Sequence, residues 1–247
     1  QLSIPIIRFD WVVEENFADI PAWHPAVDKI FPVAIRRWRK NLWHTWRSGE
    51  YRRFKQSLRQ HSYDLVLDAQ GLLKSAWLTR GLSAPVAGLD AHSAREPIAS
   101  RFYQYRYSVN PQQHAVLRVR ELFAQALGYE LPADVGNYGL DRHSLAAQLP
   151  ACEPYLMFLH GTTWPSKHWH ESNWRTVAEY CDAQGWHVRL PWGSEAERQR
   201  AERIAQNLEH VSVLPRLSIK EVASWLAGAQ ACIAVDTGLG HLTAALD

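Results

Sequence analysis

Seven short runs rich in Val, Ile, Leu and aromatic residues recur along the chain, at residues 7–13, 29–35, 64–68, 155–160, 187–191, 211–214 and 231–236. Stretches of helical periodicity lie between them, at 52–60, 72–81, 112–127, 172–184, 195–207 and 218–228. A strand that must return parallel to its predecessor needs a crossover helix, so this alternation predicts βαβ units and mostly parallel, helix-covered sheets. Ser172 and Ser218 are placed as N-caps, while Gly81, Gly128, Gly185 and Gly228 stand where helices should stop. The regularity fails around 136–154, where Leu149-Pro-Ala-Cys-Glu-Pro154 reads as a linker. The expected organisation is two Rossmann-like α/β domains, 1–150 and 151–247.

The 247 residues are 47% hydrophobic and 21% charged, enough apolar side chain for real cores and too much for global disorder. No apolar run reaches the ~18 residues of a membrane-spanning helix. Residues Gln1 to Pro5 have neither the basic nor the apolar region of a secretory signal. Three distant cysteines, Cys152, Cys181 and Cys232, argue against a disulfide framework and fit a reducing cytosol. Because the chain starts with Gln1 and stops at Asp247 within a helical pattern, a fragment is expected.

Charge is uneven. Between Arg36 and His61 lie nine Lys or Arg and a single acid, Glu50, in a chain of net charge +2. Trp38, Trp43 and Trp46 sit inside that block. A basic, aromatic surface suits an anionic membrane, a sugar or a nucleic acid. No recognisable nucleic-acid module accompanies it.

In parallel sheets, ligands bind beyond the carboxyl ends of the strands. Three such ends carry unusual residues. In His160-Gly-Thr-Thr-Trp-Pro-Ser-Lys167, hydroxyls, backbone N–H groups and a lysine can face a phosphate; a plain polar turn with a solvated lysine is the competing reading. The flanking Ser166 and His168 exclude a Walker A loop. In Val235-Asp-Thr-Gly-Leu-Gly-His241, Asp236 could accept from sugar hydroxyls while Gly238 and Gly240 admit a phosphate; a helix cap is equally open. After 187–191, the acids at a helix start either favour its dipole or, through Glu197, hold a ribose. Arg36-Arg37-Trp38-Arg39-Lys40 follows another strand and could grip carboxylates or phosphates. His160, His168 and His170 invite a metal, but there is no HExxH and the nearby carboxylates lack ligand spacing; no G-x-S-x-G elbow is present.

The stretches FDWVVEE (9–15), AIRRWRK (34–40), DAQGLLKSA (68–76), AREPIAS (94–100), HGTTWPSKHW (160–169), LPWG (190–193) and VDTGLGHLTAALD (235–247) resemble, in order, the bacterial lipopolysaccharide heptosyltransferases. The first two point to the type I branch. The resemblance implies an inverting GT-B glycosyltransferase, with two Rossmann-like domains whose sheets face across a cleft. It would move L-glycero-D-manno-heptose from its ADP-sugar to the inner Kdo of Kdo2-lipid A, with no metal or other cofactor. It further implies that Thr162, Thr163 and Lys167 hold the diphosphate, with Lys167 stabilising the departing ADP. Asp236 would contact the heptose, and Thr237, Gly238 and His241 the diphosphate end. Glu197 would take the ribose and Leu217 lie near the adenine. Arg36, Arg37, Arg39, Lys40 and Arg95 would meet the anionic acceptor. The expected location is cytoplasmic and peripheral at the inner membrane, with no nucleic acid and no obligate protein partner. The family's first strand, its glycine-rich loop with the general-base aspartate, and its last segment have no counterpart here, so both domains are expected to be incomplete and turnover weak or absent. The alternatives are a related transferase with another core acceptor and a non-catalytic polyanion or lipid binder.

Overall fold

All seven expected strands form. The computed structural model describes residues 7–134 and 136–246, with the side chains of Leu42 and His44 left aside. The readings at Gln1–Pro5 and at Asp247 fall outside the described residues. In chain order the elements are β1 (Phe9–Glu14), α1 (Asp19–Ala22), β2 (Val27–Val33), α2 (Ile35–Lys40), α3 (Leu42–Ser48), α4 (Glu50–Arg59), β3 (Val66–Asp68), α5 (Leu73–Thr79), β4 (Val86–Leu89) and β5 (Tyr105–Tyr107). There follow α6 (Ala115–Leu127), α7 (Arg142–Ala146), β6 (Tyr155–Leu159), α8 (Glu171–Ala183), β7 (His187–Leu190), α9 (Glu195–Ala205), β8 (Val211–Val213), α10 (Ile219–Gly228), β9 (Ala231–Ala234) and α11 (Gly238–Ala245).

Two compact units result. The first comprises Asp10–Glu15 and Lys29–Gly136; the second comprises the described parts of Gln1–Phe9, Asn16–Asp28 and Asn137–Asp247. The boundary expected near residue 150 lies instead at Gly136. The reason is α7: Asp141 caps it by accepting from Ser144 N (3.0 Å), Leu145 is buried in the second unit's core, and Arg142 donates to Ala227 O (2.8 Å) and Ala229 O (3.1 Å). The presumed linker is thus sewn to its own unit. Trp23, beside α1, packs against that same core, which places Asn16–Asp28 there too.

In the first unit, β3, β4 and β5 pair in parallel. Sequence analysis missed β4 and β5. Val86-Ala-Gly-Leu89 carries only one β-branched residue, and Tyr105-Arg-Tyr107 is too short to show alternation. The basic block folds as α2, α3 and α4, with Trp38, Phe54 and Leu58 buried together with Phe31 and Val33. Arg39 and Lys40 remain exposed, as do Trp43 and Trp46, whose ring centroids lie 5.6 Å apart. One member of the block is not a surface charge. Lys55 is buried, donates to Leu78 O and Arg80 O at 2.6 Å each, and is pushed by burial down to about 8.

The second unit holds a fully parallel sheet of order β8-β7-β6-β9. Side chains alternate across a strand, so β6 serves two cores. Tyr155, Met157 and Leu159 face α7, α10 and α11 with Leu145, Val222, Leu226 and Leu242. Phe158 faces α8 and α9 with Trp174, Ala178, Ala201 and Ile204. Ser218 caps α10 as expected. Its Oγ accepts from Glu221 N (3.3 Å), and Glu221 Oε2 accepts from Ser218 N (2.7 Å). Ser172 is not the cap of α8: His170 takes that position, and the Ser172 hydroxyl sits 3.0 Å from His170 Nδ1. Ser218→Ala is expected to destabilise the second unit by about 1 kcal/mol in urea unfolding, with the slope unchanged.

Candidate active site

The sheet order positions the site. From β6 the chain winds outward through β7 and β8, then crosses back to place β9 on the other side of β6. The winding reverses between β6 and β9, and this switch point opens a crevice beyond the strand ends. Leu159 and Ala234, the last residues of the two strands, are in register. The segments that follow them therefore emerge side by side.

There, Thr162, Thr163, Trp164, Lys167, Asp236, Thr237, Gly238 and His241 line a cavity of about 210 Å³. Lys167 ends a single 3-10 turn, and its Nζ lies 2.6 Å from Asp236 Oδ2. Thr162 Oγ1 donates to Asp236 O at 3.1 Å. His241 Nε2, one turn into α11, lies 3.6 Å from Asp236 Oδ1. The hydrogen bond from Lys167, then its charge, holds the Asp236 carboxyl below the usual carboxylate range. Both partners are half-exposed, where an ion pair contributes little to stability. The arrangement offers an ammonium with N–H groups to spare, hydroxyls, and a helix N-terminus at Gly238: a surface for an anion. Asp236 adds an acceptor for hydroxyl groups.

The other expected residues lie elsewhere. Glu197 closes a capping box: its Oε2 accepts from Gly193 N (2.8 Å) and Ser194 N (3.0 Å), so the dipole-favouring reading describes its local role. Its other oxygen faces the strand end, since a Cβ on Gly161 would stand 2.5 Å from Oε1. Leu217 does not line this cavity; it packs against the core at the foot of α10.

On the basic side, Arg37 is already held. Its guanidinium forks onto Glu15 at 3.1 and 3.0 Å and onto Glu50 at 2.9 and 2.5 Å, and this pairing holds Glu50 low. Such a two-carboxylate grip ties α2 to Glu15 and Glu50, so Arg37 would meet an acceptor only as an already paired guanidinium. Arg36 lends its backbone N–H to Glu14 Oε1 (3.1 Å), and its side chain is exposed like those of Arg39 and Lys40. Arg95 is exposed on a braced loop: Glu96 Oε2 accepts from Leu73 N (2.6 Å), and Glu96 N donates to Gly71 O (3.0 Å). Gly71 adopts φ +61°, and a Cβ there would stand 3.2 Å from Ala94 Cα.

Sequence analysis gave no role to Trp164, which is exposed and lines the cavity. Nothing in its spacing sets it apart from eleven other tryptophans. His160 follows β6 and is buried against the Trp174 ring. Burial, and then the charge of Arg200, pushes it down to about 4 from 6.5. The unfolded chain takes up that proton first, so this contribution to stability is complete above pH 6.5 and is lost as pH falls toward 4. Urea unfolding at pH 7 and pH 5 should show the loss, and His160→Phe should shrink it. Among the described residues, no three His, Cys, Asp or Glu side chains gather as metal ligands, and no helix is long and apolar enough to cross a membrane.

Residues 51–247 match the profile of a family described as glycosyltransferase family 9 (heptosyltransferase). The chain is 67% identical over 246 residues to lipopolysaccharide heptosyltransferase 1 of Pseudomonas aeruginosa, covering 99% of this chain and 69% of that protein. It is 49% identical to the same-named protein of Salmonella typhimurium, covering all of this chain and 78% of that one. The solved E. coli heptosyltransferase WaaC with ADP-2-deoxy-2-fluoro heptose is 48% identical and superposes with a TM-score of 0.91, over 99% of this chain and 78% of that one. That match agrees with the expected α/β, parallel-sheet fold of the GT-B type. With a family profile over most of its length and close relatives over nearly all of it, the chain belongs to glycosyltransferase family 9, the heptosyltransferases.

Proposed function

We propose that the chain transfers L-glycero-D-manno-heptose from ADP-heptose to the inner Kdo of Kdo2-lipid A, inverting the anomeric centre. One observation carries the reading: Lys167, Asp236 and the two hydroxyl-rich loops converge on one cavity at the sheet's switch point, in a chain 48% identical to a heptosyltransferase solved with an ADP-heptose analogue. In this reading the diphosphate takes Lys167 from Asp236. The ammonium then stabilises the charge that grows on the departing ADP as the anomeric carbon–oxygen bond breaks. Thr162, Thr163 and the α11 N-terminus hold phosphate oxygens, assisted by His241. Freed from Lys167, the Asp236 carboxylate accepts from heptose hydroxyls. Glu197 offers Oε1 to the ribose, and Leu217 lies toward the adenine. The reaction uses no metal, because Lys167 supplies the positive charge.

The acceptor's phosphates and carboxylates meet Arg36, Arg39, Lys40 and Arg95, while Arg37 orients α2. The same basic surface holds the protein peripherally on the cytoplasmic face of the inner membrane, each charge near an anionic surface adding about 1 kcal/mol.

Titration with ADP, with UDP as control, tests the nucleotide site. Saturable ADP binding and much weaker UDP binding are expected; a folded chain that binds neither, or both alike, overturns the reading. ADP release from ADP-heptose with Kdo2-lipid A, with and without EDTA, tests the transfer. Preference for an already heptosylated core would reassign the acceptor, and loss of activity in EDTA would reassign the charge stabilisation. Flotation with anionic vesicles at low salt should carry the protein upward.

A further inference from the structure

We propose that Arg200 is a positioning residue that staples both ends of the phosphate-facing loop to α9. The proposal rests on the donor site described above. Arg200 Nη1 donates to His160 O (3.4 Å), at the loop's first residue, and meets His168 Nδ1 (2.9 Å), at its last. A guanidinium has only N–H groups to offer, so His168 receives that bond as the neutral ring with its proton on Nε2. One nitrogen thus closes a nine-residue span that contains Thr162, Thr163 and Lys167.

Two other side-chain ties of this loop run to the ligand side. Thr162 and Lys167 both hold Asp236, the residue from which a diphosphate would draw the lysine. A tie that gives way when ligand arrives cannot fix the loop for that ligand. Arg200 does not line the cavity, so a ligand there need not displace its two contacts. Its platform is rigid. The capping box anchors the start of α9, and Ala201 and Ile204 are fully buried beside Arg200. The neighbouring His160 ring stays neutral over most of the pH range, so it does not repel the guanidinium. Pre-ordering the loop lowers the conformational entropy lost on binding.

The experiment uses Arg200→Ala, Arg200→Lys, His168→Phe and the Arg200→Ala/His168→Phe double variant of the full chain. Without ligand, backbone amide exchange in 161–168 should quicken about fivefold or more in Arg200→Ala and His168→Phe, with 195–205 unchanged. ADP affinity should fall about 5- to 20-fold in both, as expected for loss of a hydrogen bond to a charged group. Arg200→Lys should recover part of it, and the double variant should be no worse than either single one. Exchange that is unaltered in 161–168, or that quickens equally across α9, overturns the proposal, as do additive losses. Should Arg200→Ala not fold, His168→Phe decides alone. The exchange readout needs no ligand. A chain that binds no ADP, yet whose loop responds, would sink the donor reading and keep the staple; ADP binding with an unresponsive loop would do the reverse.

Discussion

Replacing Lys167 by Ala should weaken ADP binding about 10- to 100-fold in the proposed site, the range expected when a charge-assisted hydrogen bond to a phosphate is lost. Lys167 is 41% exposed in its side chain and pairs with an Asp236 that is 58% exposed, so the substitution should leave thermal unfolding nearly unchanged. The effect on binding has two parts. The ammonium no longer meets the diphosphate, and the Asp236 carboxylate, stripped of its cation, repels it. Adding Asp236→Asn to Lys167→Ala should therefore recover some ADP affinity while abolishing discrimination in favour of the heptose-bearing donor. A titration in which Lys167→Ala binds ADP within twofold of the parent would remove Lys167 from the site.

Gly88→Ala should destabilise the first unit by about 2–5 kcal/mol, through overpacking and the loss of a buried hydrogen bond. The constraint here is space. A Cβ at Gly88 would stand 2.4, 2.5 and 2.8 Å from Cε2, Cδ2 and Cζ of Tyr103. That ring cannot swing aside, because it is 2% exposed and its hydroxyl donates to buried Asp68 Oδ2 at 2.7 Å. Moving Tyr103 would leave Asp68 Oδ2 without its partner, while Oδ1 accepts from Gln70 N (2.9 Å) in the turn after β3. Urea unfolding followed by near-UV circular dichroism measures the loss, and Tyr103→Phe supplies the hydrogen-bond share of about 1–3 kcal/mol. A Gly88→Ala cost below about 1 kcal/mol would show that the β4–Tyr103 contact yields more readily than its geometry implies.

The strands and helices legible in the sequence were those with strong local signals. β6 carries five apolar residues in a row, and α10 has both periodicity and a capping Ser218. β4 and β5 were hidden because their pairing, not their composition, makes them strands: each is set by register with a neighbour far along the chain. The linker misreading has the same origin. Nothing local in 142–146 announces that Arg142 will find carbonyls at 227 and 229. Lys167 and Asp236 were visible as chemistry because both follow apolar strand-like runs, yet their 2.6 Å contact depends on β6 and β9 being neighbours, and β9, unlike β6, is largely exposed. Arg37 looked like one more surface cation; its two carboxylate partners lie 22 and 13 residues away in sequence. Arg200 sits in a charged helix where solvation is the default reading, and only the tertiary structure gives it two loop partners.

The second unit is discontinuous: Trp23 closes onto a core otherwise supplied by residues from Leu140 onward. This bears on the order of events during synthesis. As the chain emerges from its N-terminal side, all the parts of the first unit are available once Gly136 has appeared. The segment around Trp23 must then wait for α10, some two hundred residues later, with its indole exposed to solvent and to chaperones. Closing so long a loop is slow in entropic terms, even though the cost grows only logarithmically with length. The two units are thereby set to mature in sequence, the second finishing last.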